Sequence, residues 1–318
     1  MSLSILINNS PNYKYVETST FPVSPDFVGD VTRAAFPRQL IVYEEKSNKW
    51  SACIDESILA KVEYLAVSYR QTDFPDKVKL EETIREICHF HDLEAYWLDF
   101  ACTGTSQAEK NRDLYRIADV FRGASKTLIL VSGDDDEPLS AGWRRWGDRV
   151  WTLPEALLSQ ELIYKVGSRP VKKAALRKIA NMAYENRREE MILIDGYSGK
   201  EPLPLKERMH LLRKAIWKRT SGPDSAATAG SVFTAYPAER VYALMGLMPY
   251  RIMPDSMESE ATAYSRLMDA NDLDGDSHSR NASRPTSRAT TPIKQADTTD
   301  VDKLSERLES QFLDSEPF

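Results

Sequence analysis

The chain has 318 residues, 42% of them apolar and 28% charged, a balance that suits a globular protein able to bury a core without disulfides or metals. Its 42 basic and 48 acidic side chains leave a net charge of −6, which excludes a nucleic-acid or anionic-membrane binder that works by bulk charge. Three cysteines are too few for a disulfide framework, and the longest apolar runs, such as Thr127–Val131, are too short to span a bilayer.

The start, Met1–Ser10, has no basic n-region, so no signal peptide is expected, and a cytoplasmic or nuclear setting is the expected default. Residues 1–60 are punctuated by Pro11, Pro22, Pro25 and Pro37, with a first short strand expected over Pro37–Tyr43. Tyr64–Tyr69 is a short apolar run that reads as a buried strand. Asp76 is placed to cap a helix whose stripe is Leu80, Ile84, Ile87 and Cys88. Ala95–Phe100 reads as a second strand, followed by a helix with Leu114, Ile117, Ala118 and Phe121 on one face. Thr127–Ser132 is a third strand, a short helix starts near Thr152, and Glu161–Val166 is a fourth strand. Val171–Arg188 and Leu203–Arg219 read as amphipathic helices, and Val241–Leu247 as a short core helix.

Strands alternating with helices predict an α/β fold with a mainly parallel sheet, whose ligand crevice lies beyond the carboxyl ends of the strands. The expected organisation is an N-terminal segment (1–60) packed on an α/β domain (61–167), then a helical extension (168–269) and a tail (270–318). The tail has ten acidic and six basic residues and almost no large apolar side chain before residue 301, a composition that predicts disorder. Arg280-Asn-Ala-Ser283, Arg284-Pro-Thr-Ser287 and Arg288-Ala-Thr-Thr291 place a basic residue three positions before a hydroxyl. Basophilic kinases read that layout, so Ser283, Ser287 and Thr291 are candidate phosphorylation sites, with unmodified filler as the alternative. Val301, Leu304, Leu308 and Phe312 fall on one face of a short terminal helix that could dock a partner.

Four motifs in order carry a resemblance: Tyr64-Leu-Ala-Val-Ser-Tyr69, Trp97-Leu-Asp-Phe-Ala-Cys102, Ile117-Ala-Asp-Val-Phe-Arg-Gly-Ala124 and Arg149-Val-Trp-Thr-Leu-Pro-Glu155. With Glu239-Arg-Val-Tyr-Ala-Leu-Met-Gly-Leu247 behind them, their order and spacing resemble the fungal heterokaryon-incompatibility (HET) domain. The chain departs from that pattern at the strand ends, where Arg70-Gln71 replaces Trp-Gly, Thr103 replaces the Ile after Cys102, and Pro154 replaces the Gln before Glu155. Val67-Ser-Tyr-Arg-Gln-Thr-Asp73 is also similar to the first strand and loop of Toll/interleukin-receptor (TIR) domains. The resemblance implies a flavodoxin/TIR-like sheet and a role in nonself recognition and programmed cell death. Self-association and other cell-death signalling proteins would be its partners.

Many TIR domains hydrolyse NAD through a glutamate in a Trp-x-x-x-Glu setting, which Trp151–Glu155 matches in spacing. The alternative function is therefore an NAD glycohydrolase, with NAD as substrate and no cofactor, in which Glu155 stabilises an oxocarbenium-like ribose. Arg70 would meet a pyrophosphate, Asp73 a ribose hydroxyl, and Trp151 would offer a stacking face, with Ser68 and Asp99 at the same strand ends. Each has a structural alternative. Thr152 to Glu155 also reads as a capping box, Trp151 as a core residue, Arg70 as an ion-paired loop side chain, Asp99 as a turn cap and Cys102 as a small buried apolar group. Cys88, His89 and His91 cluster without the spacing of a zinc site, so no metal is expected. Geometry discriminates the two functions: Glu155 facing the crevice of Arg70 and Asp99 favours catalysis, whereas Glu155 folded onto the Thr152 N–H favours interaction.

Overall fold

The computed structural model describes residues 37–184, 188–198, 204–219, 236–248 and 251–271. The tail with its kinase motifs and terminal helix, and most of the first 60 residues, lie outside the described residues.

Seven strands form one sheet: β1 Leu40–Glu44, β2 Lys49–Cys53, β3 Tyr64–Tyr69, β4 Ala95–Trp97, β5 Lys126–Val131, β6 Leu162–Val166 and β7 Lys172–Ala174. Their order is β2-β1-β4-β3-β5-β6-β7. The ladders joining β4, β3, β5 and β6 are parallel, and those of β1 with β2, β1 with β4, and β6 with β7 are antiparallel. The sheet is thus mixed, a parallel centre with antiparallel edges, rather than mainly parallel. All six residues of β3 are buried, as a central strand covered on both faces requires. The strand order reverses between β3 and β5, and that is where the crevice rule looks for a ligand.

Helices cover both faces. On one, α2 (Lys77–Phe90; α1 is the single turn Glu56–Leu59) packs Leu80, Ile84, Ile87 and Cys88 against Leu65, Val67 and Tyr69. Asp76 caps α2 as its position predicts, accepting the Lys79 N–H at 3.0 Å. The other face is thicker. It takes α4 (Gln107–Gly123; α3 is Asp99–Cys102), α5 (Ala141–Gly147) and α6 (Thr152–Leu158). Beyond them lie α7 (Leu176–Ala183), α8 (Arg188–Ser198), α9 (Leu205–Trp217), α10 (Glu239–Met245) and α11 (Glu260–Ala270). These C-terminal helices share one apolar cluster with Tyr64, Ala66, Ile129 and Tyr164 of the sheet, so they complete its core.

Three expectations shift. β1 starts at Leu40 and folds back as a hairpin with β2, a strand whose exposed Lys49, Ser51 and Ala52 give no apolar signal. The strand expected over Ala95–Phe100 stops at Trp97, because Asp99 opens α3. The helix expected over Val171–Arg188 is split. Lys172–Ala174 instead pairs with β6, and the helix is confined to Leu176–Ala183, with Ile179, Ala180 and Ala183 buried on the expected stripe. Helical spacing in the side chains loses there to an open sheet edge that needs a partner.

α5 lies very close to the end of β5 because Gly142 has no side chain. A Cβ there would stand 2.1 Å from the Ser132 carbonyl oxygen. That proximity buries Trp143 and Trp146 fully and fixes the start of the turn leading to α6.

Candidate functional site

The carboxyl end of β3 supplies Ser68, Tyr69 and Arg70. Strand alternation sends Ser68 toward α6 and Tyr69 toward the opposite face. Ser68 is 1% exposed and donates to Glu155 Oε2, while its oxygen accepts the Trp146 indole N–H at 3.0 Å. One hydroxyl thus links a carboxyl on α6 to an indole on α5. Tyr69 reaches the end of β4 and donates its phenol to Asp99 Oδ1 at 2.6 Å. The same carboxylate oxygen accepts the N–H of the next residue, Phe100, at 2.7 Å, but Asp99 is the first residue of α3 rather than its cap, which is Leu98. Burial drives the Tyr69 phenol far up, and the adjacent Asp99 charge adds to it.

Val67, Tyr69, Trp97, Asp99, Ile117, Arg149, Trp151 and Glu155 line a cavity of about 20 Å³, room for one water. Burial pushes the Glu155 carboxyl above the ordinary carboxylate range, against the pull of Arg149 and of the Ser68 hydroxyl. Asp99 is raised for the same reason, with Tyr69, the Phe100 N–H and Arg149 opposing. Glu239, on α10, is also raised by burial and receives the Trp151 indole N–H at 2.8 Å. The Arg149 guanidinium is the positive neighbour common to these three carboxyls, and it donates to the Tyr69 carbonyl.

The capping box expected at Thr152 and Glu155 does not form. Helix α6 enters from Trp151, which is already in helical backbone, and no side chain caps it. Thr152 donates its hydroxyl to the Arg149 carbonyl at 3.0 Å and receives Arg219 Nη1 at 3.1 Å. With its own oxygen engaged there, the threonine leaves the helix N–H groups alone, and Glu155 turns to Ser68 instead.

The structure separates the six expected site residues into two groups. Asp99, Trp151 and Glu155 line the cavity and Ser68 is bonded to Glu155; Trp151 is 4% exposed, and its ring packs in the core rather than offering a free stacking face. Arg70 and Asp73 lie apart, toward β5. Arg70 Nη1 pairs with Asp73 Oδ1 at 3.5 Å, while Asp73 Oδ2 accepts from Ser132 at 2.5 Å and from Arg145 Nε at 3.2 Å. Asp73 is engaged across the switch point and does not face Glu155. The discriminating geometry is therefore mixed: Glu155 shares its cavity with Asp99 but not with Arg70, and does not fold onto Thr152.

Sequence reasoning missed Arg149, Trp146, Glu239 and Arg219. Arg149 and Glu239 open two of the quoted motifs, so a signal was present. Trp146 and Arg219 carried none. Arg219 is 0% exposed, pairs with the equally buried Glu190 at 3.5 Å and lies 4.4 Å above the Tyr184 ring. Cys102 is buried with its thiol near the Tyr96 carbonyl, and burial raises it to about 12, far from a nucleophile's range. Among the described residues, no group of three or more His, Cys, Asp or Glu side chains could hold a metal ion. No helix among them is long and apolar enough to cross a membrane.

Comparison with family models, curated proteins and solved structures finds no match to this chain.

Proposed function

We propose that the chain is a heterokaryon-incompatibility-type signalling and interaction domain on a TIR-like sheet. In this reading it acts in fungal nonself recognition and programmed cell death from the cytoplasm, through association with itself and other cell-death proteins. Two features support the family reading. The parallel strands run in the order β4-β3-β5-β6, second-first-third-fourth in the chain, which agrees with four of the five places of the flavodoxin-like order. Residues from separate motifs also meet: Tyr69 on Asp99, Ser68 on Glu155 and Trp151 on Glu239.

Room is the observation that favours interaction over catalysis. A small-molecule site occupies roughly 300–1,000 Å³. The Glu155 cavity holds about 20 Å³, and its carboxyl is already bound to Ser68. In this state Glu155 joins β3 to α6 and meets no dinucleotide.

One observation favours an NAD glycohydrolase as the second reading. Glu155, Asp99 and Arg149 face one cavity at the strand ends, as a site stabilising a ribosyl cation would require. Nicotinamide release from NAD by the concentrated protein, beside Glu155→Ala, separates the two. The interaction reading expects equal or absent release in both. Release that disappears in Glu155→Ala overturns it and makes the chain a hydrolase.

A further inference from the structure

We propose that the outward face of α9 is a docking surface for an anionic phospholipid bilayer, on which the folded chain lies without inserting. The inference rests on this helix alone and stands whether or not the crevice hydrolyses NAD.

The two faces of α9 differ sharply. At about 100° per residue, Met209, Leu212, Ala215 and Ile216 turn inward and are buried. The outward arc of about 140° holds Lys206, His210, Arg213, Lys214 and, just past the last turn, Lys218, with only Glu207 and Trp217 among them. Lys206, His210, Lys214 and Lys218 are all exposed and recur every fourth residue, a basic stripe about 18 Å long.

The opposing charges do not cancel it. Glu207 stands in the first turn, where the helix dipole favours a carboxylate. Glu189 of α8 pairs with Lys218 at 3.1 Å. Among the described residues, neither Lys206 nor Lys214 has a carboxylate within ion-pair distance. Other acids on the neighbouring helices are engaged elsewhere: Glu190 with Arg219, Asp195 with Arg177 and Glu260 with Arg240. Four fixed cations thus face two carboxylates. His210 registers the surplus, since partial burial and then the charges of Lys214 and Arg213 hold its imidazole below the ordinary range, with Glu189 opposing.

Charge and shape together select a lipid surface as the occupant. A net charge of −6 rules out attraction by bulk charge, but a stripe acts within a screening length of about 8–10 Å, where its own lysines dominate. Four or more Lys and Arg on an amphipathic helix suit a plane of mobile anionic headgroups. A convex ridge of point charges matches such a plane and reads neither sequence nor groove. The Trp217 ring lies against Arg213 at 5.9 Å and Tyr264 at 5.9 Å, so it presents no free platform on which a nucleobase could stack. Because the apolar side of α9 is occupied in the core, the helix rests on headgroups and leaves the acyl chains untouched.

The test is co-sedimentation of the full chain with vesicles of phosphatidylcholine alone or with phosphatidylserine at roughly one lipid in three. Binding is expected only with phosphatidylserine, and it should vanish as salt rises from about 0.1 M to about 1 M. Lys206→Gln with Lys214→Gln should weaken it roughly 25-fold, about fivefold per charge, with an unchanged melting curve. Lys49→Gln with Lys79→Gln removes the same charge from exposed positions on β2 and α2 and should leave binding within about twofold. A full chain that ignores phosphatidylserine overturns the proposal. So do equal losses in the two double variants, which would mean bulk charge. Binding to a polyglutamate peptide or an oligonucleotide where the vesicles fail also overturns it, by giving the stripe to another polyanion.

Discussion

Ser68→Ala removes a single oxygen, and the structure says what that oxygen holds. It sits 1% exposed between the Glu155 carboxyl and the Trp146 indole N–H. Alanine leaves both partners buried and without this bond. Each orphaned buried polar group costs about 1–3 kcal/mol, so the pair sums to about 2–6 kcal/mol at neutral pH. For a folded body of this size, that corresponds to a fall in Tm of roughly 5–15 °C. Urea unfolding followed by tryptophan fluorescence reads it directly. Ser57→Ala is the control. That hydroxyl also donates to a carboxylate, Asp55 Oδ1 at 2.7 Å, but the pair is exposed, and the loss should stay under about 0.5 kcal/mol. The Ser68→Ala cost should shrink in acid, because a protonated Glu155 has less need of a donor. A Ser68→Ala protein within about 0.5 kcal/mol of the parent at neutral pH would refute the view of this hydroxyl as the link between α5, β3 and α6.

Further outcomes follow from neighbouring groups. Burial raises Glu155, Asp99 and Glu239, so the folded state retains protons that the unfolded chain releases near pH 4. Their contribution is complete below about pH 4 and is lost as pH rises through the folded values; Glu155→Gln should flatten that slope in urea melts at a series of pH values, by about 1.4 kcal/mol per unit of displacement. Arg219→Met breaks a fully buried ion pair with Glu190 and should cost about 3–5 kcal/mol by chemical denaturation, with much of it recovered by adding Glu190→Leu. Gly142→Ala sets a Cβ against the Ser132 carbonyl and should destabilise by more than about 2 kcal/mol in thermal melts. Gly133→Ala has open space and pays only for its positive φ of 88°, about 1–2 kcal/mol in the same melts.

The elements legible in the sequence were those whose residues answer to a nearby face. Six buried residues in a row announced β3, and the 80, 84, 87, 88 spacing announced α2, because a continuous buried run and a helical stripe are local patterns. β2 and β7 left no such trace. Both are edge strands with exposed lysines, and their strand character comes from a neighbouring backbone rather than from their own side chains. The site was half legible for a related reason. Motif spacing brought out Asp99, Trp151 and Glu155, which line one cavity, and Ser68, which bonds Glu155. It could not reveal that Arg70 and Asp73 face the other side of β3, toward Ser132 and Arg145. The turn after Tyr69, not the alternation within β3, carries these two side chains toward the end of β5.

The region after residue 168 carries no chemical motif beyond Glu239–Leu247, yet it is what holds the crevice in place. Arg219, just past α9, donates to the Arg149 carbonyl at 3.3 Å and to the Thr152 hydroxyl at 3.1 Å. Glu239 on α10 takes the Trp151 indole N–H at 2.8 Å. The four residues from Arg149 to Thr152 are thereby gripped from the helical side, while Arg149 itself reaches across to the β3 carbonyl of Tyr69. Moving this turn would break the contacts of the fully buried Arg219 guanidinium and of the partly buried Glu239 carboxyl. The cavity around Glu155 is thus tied to α9 and α10 through the hydrogen bonds of Arg219 and Glu239.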